Sequence, residues 1–534
     1  MVDQPRGRAH RRRAAWFGAL VAGIALCWIV LTPPGAGADE QGHLVRSGAL
    51  ARGHLDGSDI GSARFEGFDL PSTYAVPDPD CYAFRPAVPV SCAAEPADSD
   101  ATLTLPSSAD EYPIWGHLPG GLLSRLPGPA PIWWARIGGA AIAVALLAGA
   151  FRLVAADRPL GVAAVLVALT PMAWSIFGVV SPSAMAISGA VALWTGLLFT
   201  DPRPAETAGW ITAFGWAALA LPRRDGLIWA CVALVVALGY RQRTTSDWWR
   251  SLGLGPRCVI AVSTIVTVGW GLTNDSRISR LVALAPLIVV AAETVRWWWR
   301  TQATTPRRRL ATLVVLGTAG CVAAAGVIAK RPGGWDRDLT VRVIGETGNN
   351  LVEAIGVLGW LDTVPPAAAL ALSVGAVGVL GAASLLAEGK AMSWATALLL
   401  ATIVASWVFE LYGGNTTGTY WQGRYSLPLL AGIPLLLGTA KVPAAVAARV
   451  ARCAGIVALV VVNVVAWAAA RRWGVGTHGS LMPWDWDTTH TPVPPIVVLA
   501  GLAALSIGLV AALWTTVQSA EARLSDGDPS IPSR

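Results

Sequence analysis

Long runs of apolar residues, each about 18–22 residues in length, constrain this chain more than any other feature of its sequence. A helix of that length crosses a hydrocarbon core of roughly 30 Å. The composition agrees, because 54% of the residues are hydrophobic and only 14% are charged, whereas about 25% are charged in an average soluble domain. The sequence therefore predicts an all-α polytopic membrane protein.

We predict fourteen transmembrane helices from these runs. They lie at residues 14–33, 131–153, 159–179, 182–200, 207–222, 225–240, 257–273, 278–295, 311–329, 366–387, 393–412, 425–440, 452–470 and 495–516. Pro171, Pro428 and Pro434 fall within spans, where neighbouring helices can satisfy the carbonyl groups that a proline frees. The first span follows the basic tail 1–13. We interpret it as a retained anchor rather than a cleaved signal peptide, because it is long for the apolar part of a signal.

The distribution of Lys and Arg gives the orientation. With the N-terminus in the cytoplasm, the cytoplasmic segments hold 23 Lys and Arg, and the short loops of the other side hold about 11. Cytoplasmic loops of membrane proteins carry this excess. Both termini are therefore predicted to be cytoplasmic, including the tail 517–534, which we expect to be disordered. The net charge of +7 then reflects loops that face anionic lipid and does not indicate nucleic-acid binding.

Three long segments lie on the predicted outer side. Residues 34–130 precede the helical region 131–329, residues 330–365 separate it from the helical region 366–516, and residues 471–494 lie within the latter. The first is a large extracytoplasmic loop with 13 acidic residues and five Arg. A protein that places its non-membrane residues on one side is expected to work there. Cys81 and Cys92 both lie in this loop, where an oxidising exterior favours a disulfide over two free thiols.

An acidic pair, Asp39 and Glu40, follows the first span closely in the segment ADEQGH. One interpretation is that the two carboxylates stabilise the N-terminus of a following helix through its dipole. Apolar residues such as Leu44 and Leu55 would then let this helix lie flat on the membrane. The other interpretation is that the pair is functional, and the sequence alone leaves both open.

Three arginines fall on the predicted outer side, against the general charge bias: Arg223 and Arg224 in the segment LPRRDG, and Arg424. Arg224 lies in a very short loop, and Arg424 begins a span beside Tyr420 and Gln422. A guanidinium presents a planar fork of donors that matches phosphate oxygens, and a lipid phosphate lies at this depth. The alternative is an interfacial Arg beside an aromatic belt.

Trp360 and Asp362, in VLGWLDTVPP, precede another span; a Trp anchor with a capping Asp is favoured over a catalytic Asp. No His and Cys spacing resembles a zinc site, so no metal site is predicted, although Asp39, Glu40 and His43 could help to hold a divalent cation. The sequence lacks a P-loop, a dinucleotide fingerprint and a G-x-S-x-G elbow. This argues against an ATP-driven pump.

Four stretches, spread over residues 36–435, resemble a known family. They are DEQGHLVRSGALARGHL, VSPSAMAISGAVALWTGLLF, LGWLDTVPP and YWQGRYSLPLLAGIPLL. Their order and spacing are similar to bacterial membrane proteins of domain-of-unknown-function family number 2142. The first stretch also resembles the start of glycosyltransferases of the GT-C fold, in which an acidic pair opens the first outer loop. The chain departs from the expected pattern at Ser183, where many relatives would have Asp.

This resemblance implies a GT-C-like glycosyltransferase of the bacterial plasma membrane. A sugar would move from a polyprenyl-phosphate carrier to a glycan or lipid acceptor of the cell envelope, on the outer face. Asp39 would be the general base, with Glu40 as its neighbour, while Arg224 and Arg424 would stabilise the departing phosphate. The expected substrate-binding residues are His43, Tyr420, Gln422, Trp360 and Asp362.

Two other functions remain open at this point. A transporter or flippase of lipid-linked glycans would contain inverted repeats and ionisable residues in mid-membrane. The sequence shows no repeat and few such residues, although Glu410 near the outer end of a span could be a cation site. A scaffold for envelope assembly would need no catalytic carboxylate at all.

Overall fold

The structure is a computed structural model that describes residues 4–62, 64–94, 101–109, 111–128, 130–155, 158–200, 206–274, 277–301, 336–413 and 420–525. The helices are α1 (Gln4–Leu31), α2 (Glu40–Leu50), α3 (Leu118–Leu123), α4 (Pro131–Val154), α5 (Pro159–Ala168), α6 (Pro171–Phe177), α7 (Pro182–Phe199), α8 (Glu206–Ala220), α9 (Gly226–Arg241), α10 (Thr245–Ser251), α11 (Leu254–Thr273), α12 (Arg277–Ala283), α13 (Pro286–Thr301), α14 (Arg337–Gly345), α15 (Thr347–Gly356), α16 (Ala367–Leu386), α17 (Lys390–Gly413), α18 (Gly423–Leu430), α19 (Gly432–Leu437), α20 (Ala444–Val475) and α21 (Pro495–Ser525).

Strands occur in the loop 34–130, which the sequence analysis treated as a single large loop. They are β1 (Ser58–Asp59), β2 (Glu66–Pro71) and β3 (Thr102–Ser107), and they form an antiparallel sheet in the order β1-β2-β3. In its register, Phe68 of β2 lies opposite Leu105 of β3. The fold is therefore mainly helical, with a small β-element in the described part of this loop.

Eight of the described helices are long and apolar enough to cross a membrane, and the number becomes nine if the bent pair α5 and α6 forms one span. The eight are α1, α4, α7, α11, α16, α17, α20 and α21. The predicted count of fourteen is thus not confirmed. The expected spans 207–222, 225–240 and 425–440 fold as shorter helices, and the expected span 311–329 lies outside the described residues.

Two other expected spans break before a proline. The chain bends by 69° between α5 and α6, immediately before Pro171, and α12 ends shortly before Pro286 begins α13. A proline has no N–H to donate, and its ring clashes with the carbonyl group of the preceding turn. The same residue is favoured in the first turn of a new helix, so each expected span becomes two helices.

The centre of the bundle is α7, which is buried along its whole length. Small residues explain how its neighbours approach so closely. A Cβ atom on Gly189 would lie 2.8 Å from the backbone of Ala218 in α8, and one on Gly215 of α8 would lie 2.6 Å from the backbone of Leu193. Contacts between small residues are a common basis for packing between membrane helices.

Helix α2 is buried, which corrects the expectation that it lies flat on the membrane. Its residues Leu44 and Ala49 pack with Phe68 of β2 and with Ile132 at the start of α4. The apolar face that suggested a lipid contact instead contacts the sheet and α4. The local sequence pattern shows that one face of α2 is apolar, but it does not show what covers that face. The strands that cover it come later in the chain.

The described parts of the three long segments pack together on one side of the molecule, which we call the loop side. Arg472 links them, because it donates to Asp362 at 2.6 Å and to the carbonyl oxygens of Val88 and Tyr82 at 2.7 and 2.9 Å. A disulfide between Cys81 and Cys92 closes the segment that contains Tyr82 and Val88. The loop side is therefore one packed layer over the helix ends.

Candidate functional site

Asp39 lies in the turn that joins α1 to α2, on the loop side. Its backbone adopts the left-handed conformation, with φ of 62°, which Asp tolerates better than most residues. Its carboxylate forms an ion pair with Arg424, which lies in the first turn of α18. The carboxylate side chain is 38% exposed and that of Arg424 is 8% exposed, so the anion faces solvent and the cation is almost buried.

Glu40 has a different environment although it is the next residue. Its side chain is fully buried and accepts two hydrogen bonds of 2.7 Å from the guanidinium of Arg136 in α4. It also accepts from the backbone N–H groups of Gly35 and Val180, at 3.2 and 2.9 Å. Both oxygens are therefore fully used within the protein.

Arg136 also stabilises the end of α1. Its remaining N–H groups donate to the carbonyl oxygens of Ile29, Thr32 and Pro33, at 2.9, 2.6 and 3.1 Å. These carbonyls lie at or just after the end of α1, where the helix itself supplies no partners. The Glu40–Arg136 pair thus fixes the turn from which Asp39 projects, and the predicted catalytic pair separates into one exposed and one buried carboxylate.

His43 lies one turn after Asp39 in α2 and contacts a second histidine. Its Nδ1 lies 3.0 Å from Nε2 of His117, and both rings are buried. Burial, together with nearby Arg residues, lowers the pKa of His43 to about 4, although Asp39 opposes the shift. Burial lowers the pKa of His117 well below its usual range, and His43 adds to that effect. Both rings are therefore neutral at pH 7.

Arg223 is held in a buried network that the sequence analysis did not identify. Its Nε and Nη2 donate to the two carboxylate oxygens of Asp225, at 2.9 and 3.2 Å, and its Nη1 donates to Ser183 at 2.9 Å. Trp229 donates to the same carboxylate at 2.9 Å. The resemblance leads us to expect Asp at position 183. In this chain Ser183 accepts a hydrogen bond from Arg223, and Asp225 supplies the carboxylate that pairs with Arg223.

Arg224, a predicted phosphate ligand, lies beside Arg223 but has a more open environment. It forms an ion pair with Glu111, whose side chain is 58% exposed, whereas that of Arg224 is 17% exposed. The guanidinium lies over the ring of Tyr112, 5.4 Å from its centre, and Arg223 lies 5.9 Å from the same ring. Tyr112 also contacts His43 edge-on at 5.3 Å. It therefore connects the arginines to the His43–His117 pair.

Tyr425 connects the same arginines to Arg424. The guanidinium of Arg223 lies 4.4 Å from the centre of the Tyr425 ring, and that of Arg424 lies 5.3 Å from it. A small pocket opens between Tyr112, Tyr420 and Tyr425 and is also lined by Arg223 and Arg224. The predicted residues Asp39, His43, Arg224, Arg424 and Tyr420 are thus brought to one region of the loop side.

The loop before α18 is held by two acidic residues. Glu410 at the end of α17 accepts from the backbone N–H groups of Tyr420, at 2.8 Å, and Trp421. Glu353 in α15 accepts from the N–H of Gly423 at 2.8 Å. Gln422, predicted to bind substrate, precedes α18, and within the described residues its buried side-chain oxygen has no hydrogen-bond partner.

The other two predicted substrate-binding residues make contacts within the protein. Asp362 is paired with Arg472, at 4% and 1% exposure. The indole of Trp360 donates to the carbonyl oxygen of Gly35 at 3.2 Å, next to the turn that carries Asp39. Both residues therefore stabilise the packing next to the turn that carries Asp39. The side chain of Asp362 is nearly buried, whereas that of Asp39 is 38% exposed.

A large apolar cavity of about 410 Å³ lies between α5, α16, α17, α18 and α20. Leu427 and Leu430 of α18 line it, as do Pro171 at the break between α5 and α6 and Ala354 of α15. A second, small cavity is lined by Arg424, Met172 and the turn residues 36–38. One helix, α18, therefore carries the cation of the Asp39 pair and apolar residues of the large cavity.

Metal binding has little support in the part of the chain that the structure describes. No group of three or more His, Cys, Asp and Glu could hold an ion there. Of the three residues considered for a divalent cation, Glu40 already binds Arg136 through both oxygens. Asp39, Glu40 and His43 do not form a common metal site in this arrangement.

Sequence reasoning missed Arg136, Tyr112, His117 and Arg223 as members of this site. A signal existed for Arg136, because a charged residue within an apolar run is a functional candidate by default. Tyr112 and His117 lie in the first loop without any pattern around them, and only the packing of that loop brings them to α2.

The fold and this site define a helical polytopic membrane protein with a cluster of ion pairs where the loop side meets the helix bundle. The chain belongs to the family described as predicted membrane protein (DUF2142), whose sequence profile matches residues 22–433. A comparison with curated proteins finds no match.

Two crystal structures of ArnT from Cupriavidus metallidurans are similar to this chain. The apo structure is 14% identical, with a TM-score of 0.35, over 95% of this chain and 77% of that chain. The structure bound to undecaprenyl phosphate is 13% identical, with a TM-score of 0.36, over 96% and 79%.

Proposed function

We propose that this protein is a membrane glycosyltransferase that transfers a sugar from a polyprenyl-phosphate carrier to an acceptor of the cell envelope. The observation that carries this proposal is the Asp39–Arg424 pair, a partly exposed carboxylate beside a nearly buried guanidinium. A base and an anion-binding group thus lie together at one point of the loop side. The large apolar cavity, lined partly by the helix that begins beside Arg424, suits an isoprenoid chain.

The chemistry requires a base and charge stabilisation. The acceptor hydroxyl attacks the anomeric carbon and loses its proton to a free oxygen of Asp39. A carbon–oxygen bond to the acceptor forms as the bond to the carrier phosphate breaks, and the phosphate keeps the electron pair. Arg424 and Arg224 stabilise the negative charge on that phosphate. A single displacement inverts the configuration at the anomeric carbon.

The remaining site residues would position these groups. Glu40 and Arg136 hold the turn that carries Asp39, and in this proposal Tyr420, Gln422 and Tyr112 would contact the sugar or the acceptor. The loop side would face the cell exterior, with both termini in the cytoplasm, as the Lys and Arg distribution predicts. The Cys81–Cys92 disulfide supports that orientation, because disulfides persist in oxidising compartments.

Replacing Asp39 by Asn tests the proposal, because Asn retains the shape of Asp and also tolerates the left-handed backbone. Transfer from a polyprenyl-phosphate sugar should fall by roughly 10²- to 10⁴-fold, the usual contribution of a general base. The measurement is glycan analysis of the envelope from a deletion strain that expresses each variant. Asp56→Asn, an exposed acid of the same loop, is the matched control and should restore the glycan.

Full complementation by Asp39→Asn would show that Asp39 is not the base. It would favour a flippase or an assembly scaffold, since neither requires proton transfer at this position. The envelope glycan lost on deletion would then identify the transported or assembled substrate.

A further inference from the structure

Besides the buried Glu40–Arg136 pair, the site contains the pairs Arg223–Asp225, Arg424–Asp39 and Arg224–Glu111, which differ in the exposure of the acid. Asp225 in the Arg223 pair is 8% exposed, whereas Asp39 and Glu111 in the other two pairs are 38% and 58% exposed. All three guanidinium groups are largely buried, at 8–17% exposure. The three cations therefore have similar environments, and their acidic partners do not.

This difference determines which pairs can exchange partners. A carboxylate that leaves its cation must recover its hydration, which is inexpensive at the surface and expensive in the interior. Asp225 also accepts from Trp229, and Arg223 also donates to Ser183, so their separation would break further buried hydrogen bonds. Asp39 and Glu111 each have a face in solvent and can leave their guanidinium groups when another anion takes their place.

We propose that Asp39 and Glu111 are resident anions that neutralise Arg424 and Arg224 in the empty site, and that the phosphate monoester of an isoprenyl lipid displaces them. This inference rests on the proposed function. It adds that the arriving phosphate itself releases Asp39 for proton transfer. Arg223 keeps Asp225 throughout and is a fixed structural cation.

The electrostatics of Asp39 agree with a base that is inactive in the empty site. Burial acts to raise the pKa of Asp39, but Arg424, His43 and Arg64 outweigh it and hold the pKa below its usual value. When a phosphate neutralises Arg424, the largest of these lowering influences is removed and the pKa rises. Burial also raises the pKa of Tyr112, so this neighbour stays an uncharged phenol and does not oppose the change.

The second displaced acid lies on a segment that also contacts the histidine pair. Glu111 is followed by Tyr112, whose ring lies against Arg224 and His43, and His117 of the same segment bonds His43. Release of Glu111 would therefore free the residue next to Tyr112, which lines the pocket between Tyr112, Tyr420 and Tyr425.

Lipid binding by the full chain in nanodiscs of zwitterionic lipid tests this inference, with a long-chain isoprenyl monophosphate as the probe. Asp39→Asn and Glu111→Gln each remove a competing anion, so each should bind the probe about three- to fivefold more tightly than the unmodified protein, the range expected for a partly exposed ion pair. Asp56→Asn removes the same charge from an exposed acid of the same loop, for which the described residues provide no arginine ion pair, and it should bind like the unmodified protein.

Affinities of Asp39→Asn and Glu111→Gln that are unchanged, or lower, would overturn the inference. Equal tightening in Asp56→Asn would also overturn it, because the effect would then come from net charge alone. Inorganic phosphate and nanodiscs that contain phosphatidylglycerol separate the possible ligands, and a similar affinity for either would exclude the isoprenyl monophosphate as the specific ligand.

Failure of the proposed function gives a different result. Tighter binding by Asp39→Asn, combined with full restoration of the envelope glycan by that variant, would support the exchange of anions and refute glycosyl transfer. Loss of the glycan without any change in binding would support the base and refute the exchange.

Discussion

At the scale of single residues, two adjacent acids have opposite environments. Glu40 begins α2 and Asp39 precedes it in a left-handed turn, so their side chains point in different directions. Glu40 meets Arg136 in the interior, whereas Asp39 meets Arg424 at the edge of solvent. Glu40 therefore has a structural role at the start of α2. Asp39 is the functional candidate.

The first prediction concerns the buried member. Glu40→Gln leaves Arg136 without its counter-charge in the interior, and breaking such a pair costs about 3–5 kcal/mol. The midpoint of thermal unfolding should fall clearly, while Asp39→Asn, at a partly exposed pair, should cost less than about 1 kcal/mol. Equal effects of the two substitutions would contradict the separation of their roles.

The second prediction concerns pH and the His43–His117 pair. The pKa of His43 is lowered by burial from 6.5 to about 4 in the folded protein, so the unfolded chain binds a proton first as the pH falls. Stability is therefore fully present above pH 6.5 and decreases towards pH 4, by about 3 kcal/mol for this group. Asp39 acts at lower pH: its pKa is lowered in the folded protein, so the stability that it contributes is lost mainly as the pH falls below the ordinary Asp pKa of about 3.9.

Thermal unfolding between pH 7 and pH 4 measures this effect, with His43→Asn as the comparison. The variant should be less stable at pH 7 but should lose less stability on acidification. A parallel decrease in both proteins would mean that other groups cause the pH dependence.

At the scale of elements, prolines and small residues decide where helices end and how closely they pack. The break at Pro171 separates α5 from α6, and Pro171 and Ala354 then both line the large apolar cavity. An unbroken span at 159–179 would lack this bend. The span expected at 159–179 is thus two separate helices, α5 and α6. The bend between them places Pro171 in the wall of the cavity.

The third prediction concerns the disulfide element of the first loop. Cys81 and Cys92 enclose a short segment whose carbonyl groups accept hydrogen bonds from Arg472. Closing a loop of this size restricts the unfolded chain by roughly 2–3 kcal/mol. Replacement of both cysteines by Ser should lower the unfolding temperature, and the same decrease should follow reduction of the unmodified protein. Insensitivity of the unmodified protein to reductant would contradict this role.

At the scale of the whole molecule, the described parts of the three long segments form one layer although they are far apart in sequence. The buried Asp362–Arg472 pair and the Trp360–Gly35 hydrogen bond join this layer to the turn that carries Asp39. The position of Asp39 thus depends on residues more than 300 positions away. Such a site can be assembled only when the helices below it are in place.

The fourth prediction is the orientation of this layer. Reporters fused to the N-terminus and the C-terminus should both be active in the cytoplasm, and a reporter inserted in the segment 476–494 should be active only outside. The physical reason is the excess of Lys and Arg in the segments on the side of the termini. Termini on opposite sides of the membrane would contradict the assignment and would require an odd number of spans.

The sequence by itself determined the membrane class, the helical fold and the long segments rich in candidate residues, because hydrophobicity and charge are local properties that length and spacing reveal. It also identified Asp39 and Arg424 as candidates. Only the tertiary structure decided that these two residues pair, that Glu40 is buried against Arg136, and that Arg223 and Tyr112 belong to the site. Exposure of a carboxylate depends on which distant side chains cover it, and no local pattern contains that information.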